Sequence, residues 1–301
     1  MTTTTAPALV TGELVGHFEP GTPAWHAARA TGIGGSEIAA VLGLSPYESR
    51  FSLWHRKNGL VAPVEETGVM YWGKALEPVI CNEYAKRHPE QHVAPAGTYH
   101  GPGRPWQIAN PDRLLIAADN TVEVLEAKTS RDAEGWGEED TDEVPVYYRA
   151  QVRWYLDALG LTTARIAVLI SGSDYREYTV EADPADAQLM RDRAQAFLTT
   201  VTDGTRPAID GHAATYQAIK EIPEGMDDVD VDITPALRDR YFTALAAAKA
   251  AEEEKRCASG LVLDEIGTGR RAVVGPAKVA TRTVRDGHTY SLQPARNRSA
   301  S

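Results

Sequence analysis

At 301 residues and 43% hydrophobic composition, the chain can bury a core in one or two domains. No apolar run approaches the ~20 residues of a membrane-spanning helix, and the Thr-rich start lacks a basic and apolar leader; a cytoplasmic protein is expected, in the bacterial host if phage-encoded. Two cysteines, Cys81 and Cys257, exclude a disulfide framework, a four-cysteine zinc site and an iron–sulfur cluster, and a net charge of −11 predicts weaker nonspecific DNA affinity than a basic protein has.

In chain order, residues 1–19 read as a flexible tail. Residues 25–29 read as a short helix, followed by a Gly-rich turn over 31–35. Ser36 is a good N-cap for a helix over 37–42, which Gly43 would stop. Residues 49–58 form another predicted helix, anchored by Phe51, Leu53 and Trp54. The segment 71–78 leads into a helix ending near His88, with Pro78 in its first turn because proline lacks the N–H an interior position needs. Residues 114–117 and 121–125 read as two strands around an Asp119-Asn120 turn. Residues 130–144 are acidic and polar, and are expected as a mobile loop with Trp136 as the most exposed tryptophan.

Pro145 opens a helix to Leu159, closed by Gly160. Its apolar positions Tyr148, Val152, Tyr155, Leu156 and Leu159 keep the helical period. Residues 164–170 and 175–181 read as a hairpin, and Asp183-Pro184 caps a helix to about Val201. Residues 211–233 read as an acidic linker. Thr234-Pro235 starts an Ala-rich helix to about Ser259, followed by a basic, Val- and Thr-rich β unit with a frayed end. The charge is uneven: residues 111–200 carry −9 and residues 259–301 carry +4.

The chemistry concentrates between Asn110 and Lys128. Pro111-Asp112 is followed fourteen residues later by Glu126-Ala127-Lys128, a spacing that suits a metal-dependent phosphodiesterase. Alternation along a strand puts Glu126 and Lys128 on one face, and pairing of the two strands brings Asp112 across to them. Carboxylates suit Mg2+ or Mn2+, and the lysine places positive charge beside the attacking water or the phosphate. Either piece alone also fits an exposed hairpin with solvated charges.

Glu77, placed at a helix start where the macrodipole favours an anion, is a candidate fourth acid, with two ions clamping attacking and leaving oxygens; an ordinary first-turn charge is the alternative. Gln151 is placed to orient the water or a phosphate oxygen, or to sit half exposed. Arg29 can grip a phosphate, and the N–H groups of Gly34, Gly35 and Ser36 can form an anion cradle. The turn lacks the lysine of an ATP-binding P-loop. The tryptophans are read mainly as packing residues. His26, His55 and His88 show no metal spacing and are read as surface or helix residues.

Five segments in this order resemble the YqaJ-like viral recombinase family, relatives of phage lambda exonuclease. They are W-H-A-A-R-A-T-G-I-G-G-S-E-I at 25–38, W-G-K-A-L-E-P at 72–78, N-P-D at 110–112, E-A-K at 126–128 and Y-Y-R-A-Q-V-R-W-Y-L at 147–156. The resemblance implies an α/β fold with a restriction-endonuclease-like PD-(D/E)XK core. That core is a mixed central sheet flanked by helices over residues 20–210, with a helical and small β extension over 234–301.

It further implies a Mg2+-dependent 5′–3′ exonuclease on linear double-stranded DNA, leaving 3′ single strands for a single-strand annealing protein. Mn2+ is expected to substitute, two ions to bind per site, and a homo-oligomeric ring, a trimer favoured, to encircle DNA. Asp112, Glu126, the Ala127 carbonyl and Glu77 match metal ligands. Lys128 matches the catalytic lysine, Gln151 the glutamine after the core, and Arg29 and Ser36 the 5′-phosphate positions. The competing expectations are a structure-selective endonuclease on the same core and a non-catalytic nuclease-fold DNA-binding protein.

Overall fold

The computed structural model describes residues 10–19, 21–62, 65–223 and 225–295, in two compact units divided after Met226. The first unit opens with β1 (Glu13–Gly16), α1 (Pro23–Ala30), β2 (Ile33–Gly34), α2 (Gly35–Leu42), α3 (Arg50–Lys57) and α4 (Gly68–Arg87). Five strands follow: β3 (His92–Pro95), β4 (Thr98–Gly101), β5 (Arg104–Ala109), β6 (Arg113–Ile116) and β7 (Val122–Ser130). Then come α5 (Val146–Leu159), β8 (Thr163–Ile170), β9 (Asp174–Glu181), α6 (Pro184–Thr202) and α7 (Ala213–Glu221).

The main sheet has the order β3-β6-β7-β8-β9. Only β7 and β8 run parallel, because α5 carries the chain back between them as a crossover. The sheet is therefore mixed, and alternation along its strands sends side chains to two different layers. Val124, Ile166 and Val168 face a core shared with Val152, Tyr155 and Leu156 of α5. Leu125, Ala127 and Ala167 face Ile80, Cys81 and Tyr84 of α4. This is an α/β fold with helices on both faces. A second sheet, β1-β4-β5-β2, packs on α5 as well. Trp154, fully buried, ties it there: its indole N–H donates to the carbonyls of Ile33 at 3.1 Å and Ile108 at 3.0 Å.

The structure corrects four expectations. Residues 10–19 are no tail: β1 pairs with β4, and Thr11 donates its backbone N–H to Leu159 at 2.9 Å; residues 1–9 lie outside the described residues. Helix α4 starts ten residues before Pro78, where Thr67 Oγ1 accepts from Met70 N–H. Pro78 is thus interior, and the packing of Ile80, Cys81 and Tyr84 outweighs the hydrogen bond it forfeits. The acidic 130–144 segment is held down. Trp136 is only 7% exposed and packs between Tyr148 and Tyr178, and the Gly137 carbonyl accepts from Tyr178 and Arg176. Within 211–233, α7 docks on α3 through Thr215 Oγ1, 2.7 Å from Ser49 Oγ.

The second unit consists of α8 (Pro235–Ile266) and an antiparallel sheet of β10 (Arg271–Val274), β11 (Ala277–Arg285) and β12 (His288–Pro294). Thr234 caps α8 as expected, but the helix passes Ser259 and ends at Gly267. Asp286 and Gly287 both have positive φ, the turn chemistry that a two-residue hairpin between β11 and β12 requires. The expected frayed end, 296–301, lies outside the described residues.

Candidate active site

Strand β7 outlasts β6 at one end, and this is where the acids meet. The last backbone pair is Arg113 with Leu125. Beyond it the Ala127 N–H is met by a side chain instead of a strand: Asp112 Oδ2 accepts from it at 2.8 Å. Glu126 and Lys128 point to the α5 side, and the lysine Nζ donates to Glu126 Oε1 at 2.5 Å. Gln151 Nε2 donates to the same oxygen at 2.5 Å and to the Tyr155 hydroxyl at 3.0 Å. Lys128 Nζ also lies 4.9 Å from the centre of the Tyr148 ring. The structure therefore brings Asp112, Glu126, Lys128 and Gln151 together, as expected. Tyr155, read from the sequence only as a packing residue, is the second support of the glutamine; its helical spacing to Gln151 was the available signal.

The electrostatics are unbalanced. Glu126 is 2% exposed, and its Oε2 is buried without a hydrogen-bond partner. Burial, then the Glu126 charge, pushes the Asp112 carboxyl well above the usual carboxylate range, with Lys128 opposing. Burial also raises Glu126, again against Lys128. Burial alone would lower Lys128, but Glu126 and Asp112 outweigh it and hold the ammonium raised. One half-buried cation thus sits between a half-buried and a buried acid, and a further positive charge would relieve them.

A divalent cation fits this deficit. Asp112 and the unpartnered Glu126 Oε2 are hard donors. A residue's N–H and C=O leave an extended strand by the same edge, so the Ala127 carbonyl faces Asp112. Among the described residues no three His, Cys, Asp or Glu side chains form a ready-made cage. Mg2+ is commonly held by one or two carboxylates, with waters and substrate phosphates completing its shell.

Glu77 is not at a helix start as expected, yet its charge reaches the acids and helps raise both the Asp112 and the Glu126 carboxyls. It sits in the middle of α4, away from any helix terminus, and pairs with Arg113 Nη1 at 2.9 Å. Arg113, overlooked in the sequence, also donates to the Asp112 backbone carbonyl at 2.5 Å.

Beside the acids lies the Gly-rich turn. A side chain on Gly35 would overlap the Tyr155 ring, and one on Gly34 would come within 2.7 Å of Arg29 Nη2. The turn is thus wedged between the tyrosine and the arginine. Arg29 lies over the Trp25 ring at 4.2 Å and donates to Ser36 Oγ at 2.9 Å. Ser36 is inside α2, not its N-cap; Gly34 holds that position. The Gly34 N–H donates to Glu37 Oε2 at 2.9 Å, so it is not free for the anion cradle.

Glu37, 5% exposed, meets Arg56 at 3.1 Å and Lys57 at 3.0 Å, and Lys57 in turn donates to the Gly32 carbonyl at 2.6 Å. Burial opposes its ionisation, but Lys57, Arg29 and Arg56 outweigh that and hold it at about 2. The pair is lopsided, since burial leaves Lys57 below the ordinary lysine range. The network is therefore worth less than the carboxylate shift alone implies, about 2 kcal/mol. A carboxylate lowered on folding stabilises above its unfolded pKa and loses that contribution as pH falls from about 5 toward 2. Glu37→Gln should cost about 2 kcal/mol in urea unfolding at pH 7, with the gap from the parent closing near pH 2.

A model of the YqaJ-like viral recombinase domain matches residues 24–164. The uncharacterized protein YqaJ of Bacillus subtilis (strain 168) is 30% identical over 222 residues, 72% of this chain and 68% of that protein. The chain belongs to the YqaJ-like viral recombinase family. Protein D345L of African swine fever virus (strain Badajoz 1971 Vero-adapted) is 41% identical over 56 residues, 19% of this chain and 16% of the viral protein. Among solved structures, the alkaline exonuclease LHK-Exo from Laribacter hongkongensis aligns with 66% of this chain and 97% of its own, at a TM-score of 0.49 and 19% identity. The recombinase-domain match contains Arg29, Ser36, Glu77, Asp112, Glu126, Lys128 and Gln151, and the second unit lies wholly outside it.

Proposed function

We propose that this YqaJ-like protein is a Mg2+-dependent deoxyribonuclease that digests linear double-stranded DNA from the 5′ end. The observation that carries the reading is the buried, unpartnered Glu126 Oε2 beside Asp112 and Lys128. In a family of viral recombinases, the product is a 3′ single strand for an annealing protein, and a homo-oligomeric ring, a trimer favoured, keeps the enzyme on its DNA.

Asp112, Glu126 and the Ala127 carbonyl would hold the ion. When bound, it would polarise the scissile phosphate and acidify the attacking water. These three donors would hold one ion, and Glu77, paired with Arg113, would have to release that arginine to help hold a second. Lys128 remains charged and steadies the negative charge that builds on the phosphate. Gln151, whose amide N–H groups donate to Glu126 and to the Tyr155 hydroxyl, keeps Glu126 in place. Arg29 and Ser36 bind the terminal 5′ phosphate and thereby set which bond reaches the acids.

The test is a digest of linear duplex labelled separately at each end, with covalently closed circular duplex alongside. The expected result is Mg2+-dependent release of the 5′ label first, loss of activity with chelator, recovery with Mn2+, and intact circles. Cleaved circles would establish an endonuclease instead, and DNA binding without hydrolysis a non-catalytic protein. On the same substrates, Arg29→Gln should slow digestion of 5′-phosphorylated ends roughly tenfold to a hundredfold, because a charge-assisted hydrogen bond is lost. Ends bearing a 5′ hydroxyl should change little; an equal loss on both would remove Arg29 from phosphate binding.

A further inference from the structure

Helix α5 presents a second functional face. Gln151 and Tyr155 look toward the acids, whereas Val146, Arg149, Ala150 and Arg153 lie at helical spacing on another side and line a cavity of about 620 Å3. The C-terminal end of α2, the start of α3 and the middle of α6 close it.

Four arginines meet here, Arg50, Arg149, Arg153 and Arg193, against two acids, Asp186 and Asp210. Arg153 is neutralised by Asp186. Arg50 and Arg149 are different: each buries its Nε–H with no hydrogen-bond partner. Arg50 has the Phe197 ring nearby, 5.7 Å from its guanidinium carbon, but a ring is no substitute for an acceptor. Buried guanidinium N–H groups without acceptors cost stability, and with four arginines against two acids the lining carries an excess of positive charge that an anion in the groove would offset. Its other character is apolar. Met190 and Val41 are buried in the lining, and Leu44, Val146 and Leu189 are left exposed there.

We propose that this groove binds a short acidic segment of a partner protein, with carboxylates on Arg50 and Arg149 and apolar side chains on Leu44, Val146 and Leu189. Charge complementarity selects the occupant, since a guanidinium matches a planar carboxylate in two parallel hydrogen bonds. The apolar rim and the size favour a peptide over nucleic acid. A cavity of this volume takes a few side chains, and a phosphate backbone would leave the exposed leucines bare. The inference is independent of the nuclease reading, because it uses none of the residues on the acid-facing side of α5.

The test is fluorescence anisotropy on the full chain, with a fluorescein-labelled peptide of alternating Asp and Leu. The same peptide with Asn for Asp and a labelled oligothymidylate serve as the other probes. The Asp–Leu peptide should bind saturably and at least about tenfold tighter than its Asn counterpart. Arg149→Gln should weaken it by about tenfold, and Arg193→Glu, an exposed change that leaves the packed side chains untouched, should weaken it too. Melting curves confirm that both variants are folded, and both should hydrolyse a short duplex at the parent rate. Equal binding of the Asn peptide, undiminished binding by both variants, or preferential binding of the oligothymidylate would overturn the proposal. Loss of hydrolysis in both variants would also overturn it, by assigning the groove to the DNA path.

Discussion

Asp112→Asn is expected to lower Mg2+-dependent hydrolysis by at least about 10³-fold, equivalent to roughly 4 kcal/mol of lost transition-state stabilisation, without unfolding the protein. The two halves of this expectation share one cause. Asp112 is half-buried beside a second acid, and its carboxyl is pushed up by desolvation and by Glu126. An ionised Asp112 therefore works against the fold until a cation arrives. The amide keeps an oxygen for the Ala127 N–H and removes the repulsion. In chelator, the variant should melt at or above the temperature of the parent; with Mg2+ added, only the parent should gain further. Glu126→Gln should match the loss of activity. Retention of more than a tenth of parental activity by Asp112→Asn would remove it from the ion site, and a large fall in melting temperature would make its role structural.

The unequal legibility of the chain has physical reasons. The hairpin β6–β7 was readable because its information is local: alternating apolar residues flank Asp119-Asn120, and Asn120 takes the positive φ of 67° that such turns favour. From that register, the meeting of Asp112, Glu126 and Lys128 follows. Gln151 was readable because α5 keeps a clean period and ends at a glycine. The rest depends on contacts far apart in sequence. Pro78 obeys a local rule that packing against Leu115 and Leu125 overrides. The 130–144 segment is acidic enough to read as solvent-exposed, yet one tryptophan and two backbone hydrogen bonds, Asp140 N–H to Glu177 and Thr179 N–H to Thr141, pin it to β9. Ser36 is a good N-cap by type, but Glu37 reaches back to the Gly34 N–H and moves the helix start forward. Arg113 lies on the opposite face from Asp112, so nothing in the spacing announces that it pairs with Glu77.

Lys128→Ala should reduce turnover by about 10²–10³-fold, the usual effect of removing one preorganised group that meets developing charge. The structure makes this a question of charge rather than of proton transfer. The ammonium lies 2.5 Å from Glu126 Oε1, and the two acids hold it above the ordinary lysine range despite burial. A lysine so placed stays protonated at neutral pH and cannot act as the base that deprotonates water. Its removal also strips both acids of the ammonium that lowers their pKa values, so those values rise further and ion binding weakens. Lys128→Ala should therefore need more Mg2+ for half-maximal rate and reach that rate at higher pH. Lys128→Arg keeps the charge in a planar, larger group. It should retain a near-parental Mg2+ dependence while still losing most turnover, since the guanidinium cannot occupy the position of the ammonium. Initial rates across Mg2+ concentration from pH 6 to 9 distinguish these outcomes. A rising limb in the parental pH profile that disappears in Lys128→Ala, with the Mg2+ requirement unchanged, would show the lysine working as a base and would refute its assignment as a fixed cation.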